Sequence, residues 1–498
     1  MNQYPGKDKA LRRNVLITGA TDGLGLSLFR FFSQSGYQVF GLGRRPVDEF
    51  PHLSVENYLQ VDLAASDLVQ RFRQAWEAVG SPSFDIVVHN AGVGYLGDLS
   101  EQSEDSLRDL VRVNLTAPIL ITRILLSDLL DSEGKIVFIS SVTTSLPTPS
   151  FAAYGASKAA LEGFTRSLRV ELEGRVEVQV IRPGATRTGM HQKVGMSKAK
   201  TRLFASPEKV AKEIFLAIQG KDRVVTVGRM NKLVTLVGPL LKWGPRHFKN
   251  PACHNVLITG AADGIGKALT LFYLNQGCRV IGVDRNEESG RALSTRHKKF
   301  QFIHADLFQD LRWADTLPTV DLVIHNAGIN STGPFETLES EEQDKVIELN
   351  LVVPLLLCAK LLKHRARTVF ISSLSYFVSY PGASTYAATK DGLAHLACSL
   401  QGDSHTLTVF PGPVRTSHDR RHSPDNRREA SRMEPNHLAR LIGAAHRRGN
   451  RMLIPGLSAK GAAILGLVLP RAAEKLMKKV IYERFQPGNK KFKNEGSP

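Results

Sequence analysis

Two sets of residues in this 498-residue chain have the types and spacing of a proton-transfer site: Ser141, Tyr154 and Lys158, and again Ser373, Tyr386 and Lys390. In each set the tyrosine and lysine stand four apart in a stretch of helical pattern, so their side chains share one helix face. A phenol ordinarily titrates near ~10, too high for an effective base at neutral pH. An ammonium one turn away favours the phenolate, so the spacing predicts a lowered tyrosine pKa. A Tyr-x-x-x-Lys pair by itself is more often an exposed helix face. The serine thirteen residues upstream in both halves argues for chemistry instead.

The rest of each half repeats in the same order. Thr18-Gly19-Ala20-Thr21-Asp22-Gly23-Leu24-Gly25 returns 241 positions later as Thr259-Gly260-Ala261-Ala262-Asp263-Gly264-Ile265-Gly266. Asn90-Ala91-Gly92 and Asn114 return at 236, as Asn326-Ala327-Gly328 and Asn350. The serine, tyrosine and lysine return at 232, and Pro183-Gly184 at 228 as Pro411-Gly412. A slowly shrinking offset indicates two homologous domains with short loop deletions; arrays of small repeats have periods of ~20–50 residues. Bounds of 1–249 and 250–498 leave each domain long enough to bury its own core.

In each half short β-branched runs alternate with longer amphipathic stretches, the pattern of β/α units around a doubly wound parallel sheet. Strands are expected at Asn14–Thr18, Gln38–Leu42, Asp85–His89, Lys135–Ile139 and Glu177–Ile181. Their counterparts are Asn255–Thr259, Arg279–Val283, Asp321–His325, Thr368–Ile371 and Thr406–Phe410. Each first strand runs into a glycine loop that opens a helix. Glycine permits a tight turn and close backbone approach, and the helix N-terminus presents N–H groups to a pyrophosphate.

TGxxxGxG, Asn-Ala-Gly, Asn, Ser, Tyr-x-x-x-Lys and Pro-Gly, in that order and once per half, resemble the short-chain dehydrogenase/reductase family over nearly the whole chain. The resemblance implies two tandem Rossmann-type α/β domains and an NAD(P)-dependent oxidoreductase acting on CH–OH groups. It implies that Gly19, Gly23, Leu24, Gly25, Asn90 and Gly92 bind the cofactor in the first half. Gly260, Gly264, Ile265, Gly266, Asn326 and Gly328 would do so in the second. Asp62 and Asp306 would contact the adenine, a structural role for both being nearly as well founded. Lys158 and Lys390 would also hold the nicotinamide ribose, Ser141 and Ser373 the substrate oxygen. Asn114 and Asn350 would anchor a proton-relaying water.

The end of the second strand selects the cofactor, because it lies near the adenosine ribose. The second half has Asp284 there; a carboxylate accepts from both ribose hydroxyls and repels a 2′-phosphate, which points to NAD. The first half has Arg44 and Arg45 and no acid, which points to NADP through paired, charge-assisted hydrogen bonds. Asp22 weighs against NADP, since many NADP-using relatives carry a basic residue at that position.

Beyond each Pro-Gly the chain is basic. The first half carries Arg182, Arg187, Lys193, Lys198, Lys200 and Arg202; the second carries Arg415, Arg420, Arg421, Arg427, Arg428 and Arg432. Lysine-bearing apolar stretches follow at Gly228 and Gly456. A cationic rim beside an apolar flap suits a hydrophobic small-molecule substrate with an anionic head, such as an acyl thioester on coenzyme A or carrier protein. Leu233, Leu236, Val237, Leu240 and Leu241 at helical spacing equally suit docking on anionic lipid, or packing on the protein itself. Gly238-Pro239 is expected to break or kink a helix there.

The net charge of +18 matches the basic segments, and no basic-aromatic nucleic-acid module accompanies it. No secretory signal and no apolar stretch of ~18–20 residues is evident, and no metal-type spacing. Cys253, Cys278, Cys358 and Cys398 read as reduced thiols, hence a cytoplasmic protein, peripheral at a membrane if the apolar stripe docks. The long helices near Leu107–Leu130 and Ala153–Glu173 are the ones through which such domains pair, so an internal pseudo-dimer or a homo-oligomer is expected. Three functions fit: coupled oxidation with NAD and reduction with NADPH giving net epimerisation, two independent reactions, or a dinucleotide-binding sensor or scaffold without turnover.

Overall fold

The computed structural model describes residues 13–190, 202–242, 253–362, 365–400, 405–422, 426 and 429–484. In the first half β1 (Asn14–Thr18), β2 (Gln38–Gly43), β3 (Tyr58–Gln60), β4 (Ile86–His89), β5 (Lys135–Ile139), β6 (Glu177–Arg182) and β7 (Val224–Thr226) form one sheet, ordered β3-β2-β1-β4-β5-β6-β7. In the second, β8 (Asn255–Thr259), β9 (Arg279–Asp284), β10 (Phe300–His304), β11 (Leu322–His325), β12 (Arg367–Ile371), β13 (Thr406–Val409) and β14 (Met452–Leu453) repeat that order as β10-β9-β8-β11-β12-β13-β14. All pairings are parallel. The central strands are apolar runs such as Val15-Leu16-Ile17, buried because helices cover both sheet faces. The order reverses between β1 and β4, and between β8 and β11. That opens a crevice at the carboxyl ends of those strands.

The two halves share a core. One apolar cluster runs from Leu16, Leu125 and Phe164 in the first half to Phe335, Leu355 and Leu396 in the second; separate clusters fill the outer face of each sheet. The helices Ala152–Glu171 and Ser384–Ser399, which carry the two Tyr/Lys pairs, lie against each other. Small residues let their backbones approach: a Cβ on Gly392 would sit 3.0 Å from the Ala156 carbonyl oxygen, and one on Gly163 2.8 Å from Cβ of Asp391. The contact follows a pseudo-twofold. Thr148 N–H donates to Ser399 Oγ (3.2 Å), and 232 residues later Tyr380 N–H donates to Ser167 Oγ (3.1 Å). Arg166 pairs with Asp391 at 2.9 Å, and Arg108 pairs with Glu348. The helix Pro470–Val480 returns to the first half, where Glu474 meets Arg223 (3.1 Å) and Lys478 meets Glu173 (3.2 Å).

Three expectations are corrected. The segment Glu104–Asp131 is long and apolar enough to cross a membrane by length and composition, although the sequence shows no uninterrupted apolar run. It is mostly buried at the junction of the halves, where a core helix needs the same composition. The helix Arg229–Lys242 runs through Gly238-Pro239 without ending. Gly238 is there for close approach: a Cβ would lie 2.3 Å from the Ser145 carbonyl oxygen, and the equivalent Gly466 stands 2.0 Å from that of Phe377. Leu233, Leu236 and Val237 on the same helix stay exposed and are not covered by the protein itself. The side chains of Leu240 and Leu241 lie outside the described residues.

The helix Leu457–Val468 offers an internal contrast. Gly461 meets nothing within 4 Å of an added Cβ, whereas Gly466 meets a backbone oxygen. Gly461→Ala is expected to stabilise by about 0.5–1 kcal/mol through helix propensity. Gly466→Ala is expected to destabilise by about 1–3 kcal/mol through overpacking. Denaturant melts of the two variants check the pair of signs.

Candidate active site

Both glycine loops are cradles that side chains would fill. A Cβ on Gly25 would fall 2.0 Å from the Gly19 carbonyl oxygen, and one on Gly266 1.8 Å from that of Gly260. Gly19 and Gly260 have φ of +68° and +66°, Gly23 and Gly264 +52°, the region that favours glycine. Leu24 and Ile265 follow, half-buried, in the first turn of their helices. Asp22 and Asp263 cap those helices, each accepting from the next glycine N–H (2.6 and 2.7 Å). Because both halves use this aspartate identically, Asp22 does not distinguish their cofactors.

Across the crevice, Asn90 donates from Nδ2 to the Thr18 carbonyl (2.9 Å), and Asn326 to those of Thr259 and Gly260 (3.0 Å each). Gly92 and Gly328 leave room beside the lysines: a Cβ on either would lie 3.4 Å from Nζ of Lys158 or Lys390. Asp62 and Asp306 each accept from the N–H two residues on (3.0 and 3.1 Å), shaping the turn after the third strand. These loops fit a dinucleotide: bare backbone at a helix start, flanked by fixed polar side chains.

Asn114 and Asn350 sit in single π-turns, Arg112–Thr116 and Glu348–Val352, that interrupt long helices. Asn114 Oδ1 accepts from Val93 N–H (2.9 Å) while its Nδ2 donates to the Val93 carbonyl (2.9 Å) and to Ser157 Oγ (3.0 Å). Asn350 braces Ile329 and Thr389 in the same way. Their amide groups are thereby committed to the loop after the fourth strand.

Ser141 faces Tyr154, and Ser373 faces Tyr386, near enough for each serine to favour the phenolate. Lys158 and Lys390 are buried, and each Nζ donates to a strand-end carbonyl, of Ile139 and Ile371 respectively, at 3.0 Å. The expected lowering of the tyrosine pKa is not what this environment does. Burial pushes Tyr154 up and Tyr386 up to about 12, the serines opposing it, and burial lowers both lysines to about 8. The pocket is dry, so it disfavours phenolate and ammonium alike, and each lysine bonds a carbonyl rather than the phenol. The tyrosines are held protonated, the form that can give a proton.

The ribose ends of the two crevices differ for a steric reason. Gly43 occupies the position of Asp284, 241 residues earlier. A Cβ on Gly43 would lie 2.7 Å from the Tyr58 hydroxyl, so no acid fits there. Asp284 instead accepts from Ala262 N–H and Asn286 N–H, both at 2.9 Å, which fixes its carboxylate beside the glycine loop. Arg45 lies over the Phe50 ring at 4.5 Å and pairs with Glu49 at 3.5 Å. Arg44 is exposed, and among the described residues no ion pair engages it.

Sequence reading missed several residues. Thr188 and Thr416 stand over the glycine loops, 3.0 and 3.3 Å from a Cβ placed on Gly23 and Gly264; their common 228 offset was the signal. Glu162, half-buried, accepts from Ser140 Oγ (2.7 Å), Thr144 Oγ1 (2.9 Å) and Arg182 Nε (2.8 Å), bracing the segment that carries Ser141. The second half replaces this ion pair with Ala394 and Phe410 packed on Phe377, a substitution legible at the same offsets.

Arg182 is therefore no part of a cationic rim. Neither are several of its supposed fellows: Arg415 pairs with Glu434, Arg420 with Glu429 (2.8 Å) and Arg432 with Asp419 (2.8 Å). Arg187 hydrogen-bonds through its backbone to Ala205 (2.9 Å), and Arg202 and Arg421 are exposed. Lys193, Lys198, Lys200, Arg427 and Arg428 lie outside the described residues. The second pocket also carries Tyr380, edge-on to Tyr386 at 6.1 Å, where the first has Thr148; Arg432 stands where the first has Phe204.

The family model for short chain dehydrogenase matches the chain twice, over residues 13–199 and 254–427. The uncharacterized oxidoreductase YciK of Escherichia coli (strain K12) is 35% identical over 204 residues, 38% of this chain and 80% of that protein. The rat (Rattus norvegicus) dehydrogenase/reductase SDR family member 7B is 30% identical over 243 residues, 44% of this chain and 75% of that protein. A short-chain dehydrogenase from Streptomyces avermitilis, of known structure, aligns at 26% identity over 45% of this chain and 91% of its own, with a TM-score of 0.40. Two parallel seven-stranded sheets, each with its glycine cradle and its Ser/Tyr/Lys set, and two separate matches to one family model make this chain a tandem member of the short-chain dehydrogenase/reductase family, an NAD(P)-dependent oxidoreductase acting on CH–OH groups.

Proposed function

We propose that the chain holds two working oxidoreductase sites, the first using NADP and the second NAD, which together invert a carbinol centre. The observation that carries this reading is an inequality. Ser141, Tyr154 and Lys158 match Ser373, Tyr386 and Lys390 residue for residue, while Gly43 with an unengaged Arg44 faces the ribose end in one half and a braced Asp284 in the other. A carboxylate excludes a 2′-phosphate, and an exposed guanidinium attracts one.

Bound in either crevice, the nicotinamide dinucleotide supplies or accepts the hydride at the substrate carbon. In reduction Tyr154 or Tyr386 gives its proton to the substrate oxygen, which Ser141 or Ser373 orients by hydrogen bond. In oxidation the tyrosine takes the hydroxyl proton back. Lys158 and Lys390 would hold the cofactor ribose. Asn114 and Asn350 keep the loop facing the lysine in register. Hydride and proton together account for the two electrons and two protons by which alcohol and ketone differ.

The substrate class is hydrophobic. Beside each site a helix packs on the segment after the serine, Gly238 against Ser145 and Gly466 against Phe377, and leaves apolar residues exposed: Leu233 and Leu236 on one, Ile464, Leu467 and Val468 on the other. This supports an acyl or lipid-like substrate delivered from a carrier or a membrane surface. Supplying NAD and NADPH together is expected to give net stereoinversion of a secondary alcohol, with the ketone alone accumulating on NAD. Chiral chromatography of the products checks this, and retained configuration removes the epimerase reading.

A second reading has the halves act on different substrates. It is favoured by the pockets themselves: Tyr380 and the Arg432–Asp419 pair flank Tyr386, where the first half offers Thr148 and Phe204. Under it, each half keeps its own substrate whether or not the other cofactor is present.

A further inference from the structure

We propose that Glu171, the last residue of the first half's Tyr154 helix, is a positioning residue for the second half's active site. This rests on Ser373, Tyr386 and Lys390 being a working site. Glu171 is only 3% exposed and crosses the interface with both carboxylate oxygens. Oε1 accepts from Ser384 Oγ, in the first turn of the helix that carries Tyr386 and Lys390. Oε2 accepts from Phe335 N–H at 3.0 Å. One side chain thus ties down the start of the catalytic helix and the loop that follows Asn326-Ala327-Gly328.

The repeat shows why a residue from the other half is needed. In the first half Asp98 caps the short helix Leu99–Glu101, accepting from Ser100 N–H at 3.1 Å. Its counterpart 236 residues on is Pro334, whose side chain accepts nothing, so the short helix Phe335–Thr337 has no side-chain cap of its own and its first N–H, that of Phe335, is met by Glu171 from across the interface. Conversely Ser384, which donates to Glu171, corresponds to Ala152 in the first half. The second half has lost its own cap and gained a hydroxyl aimed at Glu171. Support also comes from Arg166, whose Nη2 donates to the Ser375 carbonyl at 2.8 Å, two residues from Ser373. The Tyr154 helix therefore has the first site at one end and a brace for the second site at the other.

Burial pushes the Glu171 carboxyl up to about 7, against the pull of Ser384, Gly382 and Phe335. The other ionisable groups facing it are Glu336, Arg175, which bonds Glu336 at 3.3 Å, and Tyr482. The ionised carboxylate accepts from Ser384 Oγ and Phe335 N–H, and protonation removes part of that capacity. NAD-linked kcat is therefore expected to rise with pH through about 7.

The test uses the full-length chain as Glu171→Ala, Glu171→Gln and Tyr386→Phe. For Glu171→Ala, amide exchange at Phe335 should quicken about tenfold. NAD-linked kcat should fall ~10–100-fold with little change in KM, as for a misplaced catalytic group. Glu171→Gln, which still offers an acceptor, should recover most of kcat and lose the rise through neutral pH. Unchanged exchange and kcat in Glu171→Ala, or an unaltered pH profile in Glu171→Gln, overturns the proposal. NAD-linked turnover that survives Tyr386→Phe refutes the second site itself; the exchange data then still decide the contact.

Discussion

Replacing Tyr386 by phenylalanine is expected to cut NAD-linked turnover by ~10²–10⁴-fold, the usual worth of a positioned acid or base, while NADP-linked turnover persists. Tyr154→Phe should do the reverse. The expectation is sharp because the change deletes one oxygen and leaves the packing alone. Tyr154 is 8% exposed, and its ring lies edge-on to Phe151 at 6.0 Å; the Tyr386 ring keeps Tyr380 at 6.1 Å. What disappears is the proton that burial holds on the phenol. The carbonyl oxygen of the substrate would then develop charge in a pocket that already disfavours it. Steady-state rates of each single variant with each cofactor check the result. If either change silences both activities, the chain contains one composite site and not two.

The second large effect lies at the ribose end. Arg44→Ala should raise the first half's KM for NADP by ~10–100-fold, the loss of charge-assisted hydrogen bonds worth about 1.5–3 kcal/mol. Its affinity for NAD should barely change. Asp284→Ala should weaken NAD binding in the second half by a similar factor, since the carboxylate that Ala262 and Asn286 hold in place is gone. The steric argument adds a discriminating case. Gly43→Asp alone should fail to create an NAD site, because its Cβ would be driven to 2.7 Å from the Tyr58 hydroxyl. Combined with Tyr58→Phe and Arg44→Ala it should shift preference toward NAD. Cofactor titrations of single, double and triple variants decide it. Equal use of NAD and NADP by the unaltered Arg44 half would sink the assignment.

Most of the fold was legible because parallel strands buried on both faces must be apolar runs, and because the chain states everything twice. β1, β5 and β8 begin and end at the residues the pattern marks, and the other predicted strands differ by one residue at an end. The glycine loops, the asparagines and both Ser/Tyr/Lys sets fall together at the switch points that such a topology creates. The last strands are short edge pieces, and β14 has only two residues, Met452 and Leu453; so little periodicity cannot be read. Gly238-Pro239 misled for a different reason. Local propensity argues for a break, and the close approach to the Ser145 carbonyl, invisible in sequence, makes glycine the residue that fits.

Charge was read least well. Lysines and arginines counted along the chain looked like a rim, yet Arg182, Arg415, Arg420 and Arg432 are committed to carboxylates that lie nine to twenty residues away. The tyrosine pKa was misjudged for a related reason: spacing reports that a lysine is near, while desolvation depends on everything else that is near.

The sequence by itself determined the doubled α/β architecture, the family, and the residues able to move a proton and a hydride. Those follow from periodicity and from motif order, which are local or repeated. Only the tertiary structure decided which arginine is available to a phosphate, why Gly43 must be bare, and that Glu171 of one half reaches under the catalytic helix of the other. These depend on distances between residues as far as 213 positions apart, which packing sets and spacing does not record.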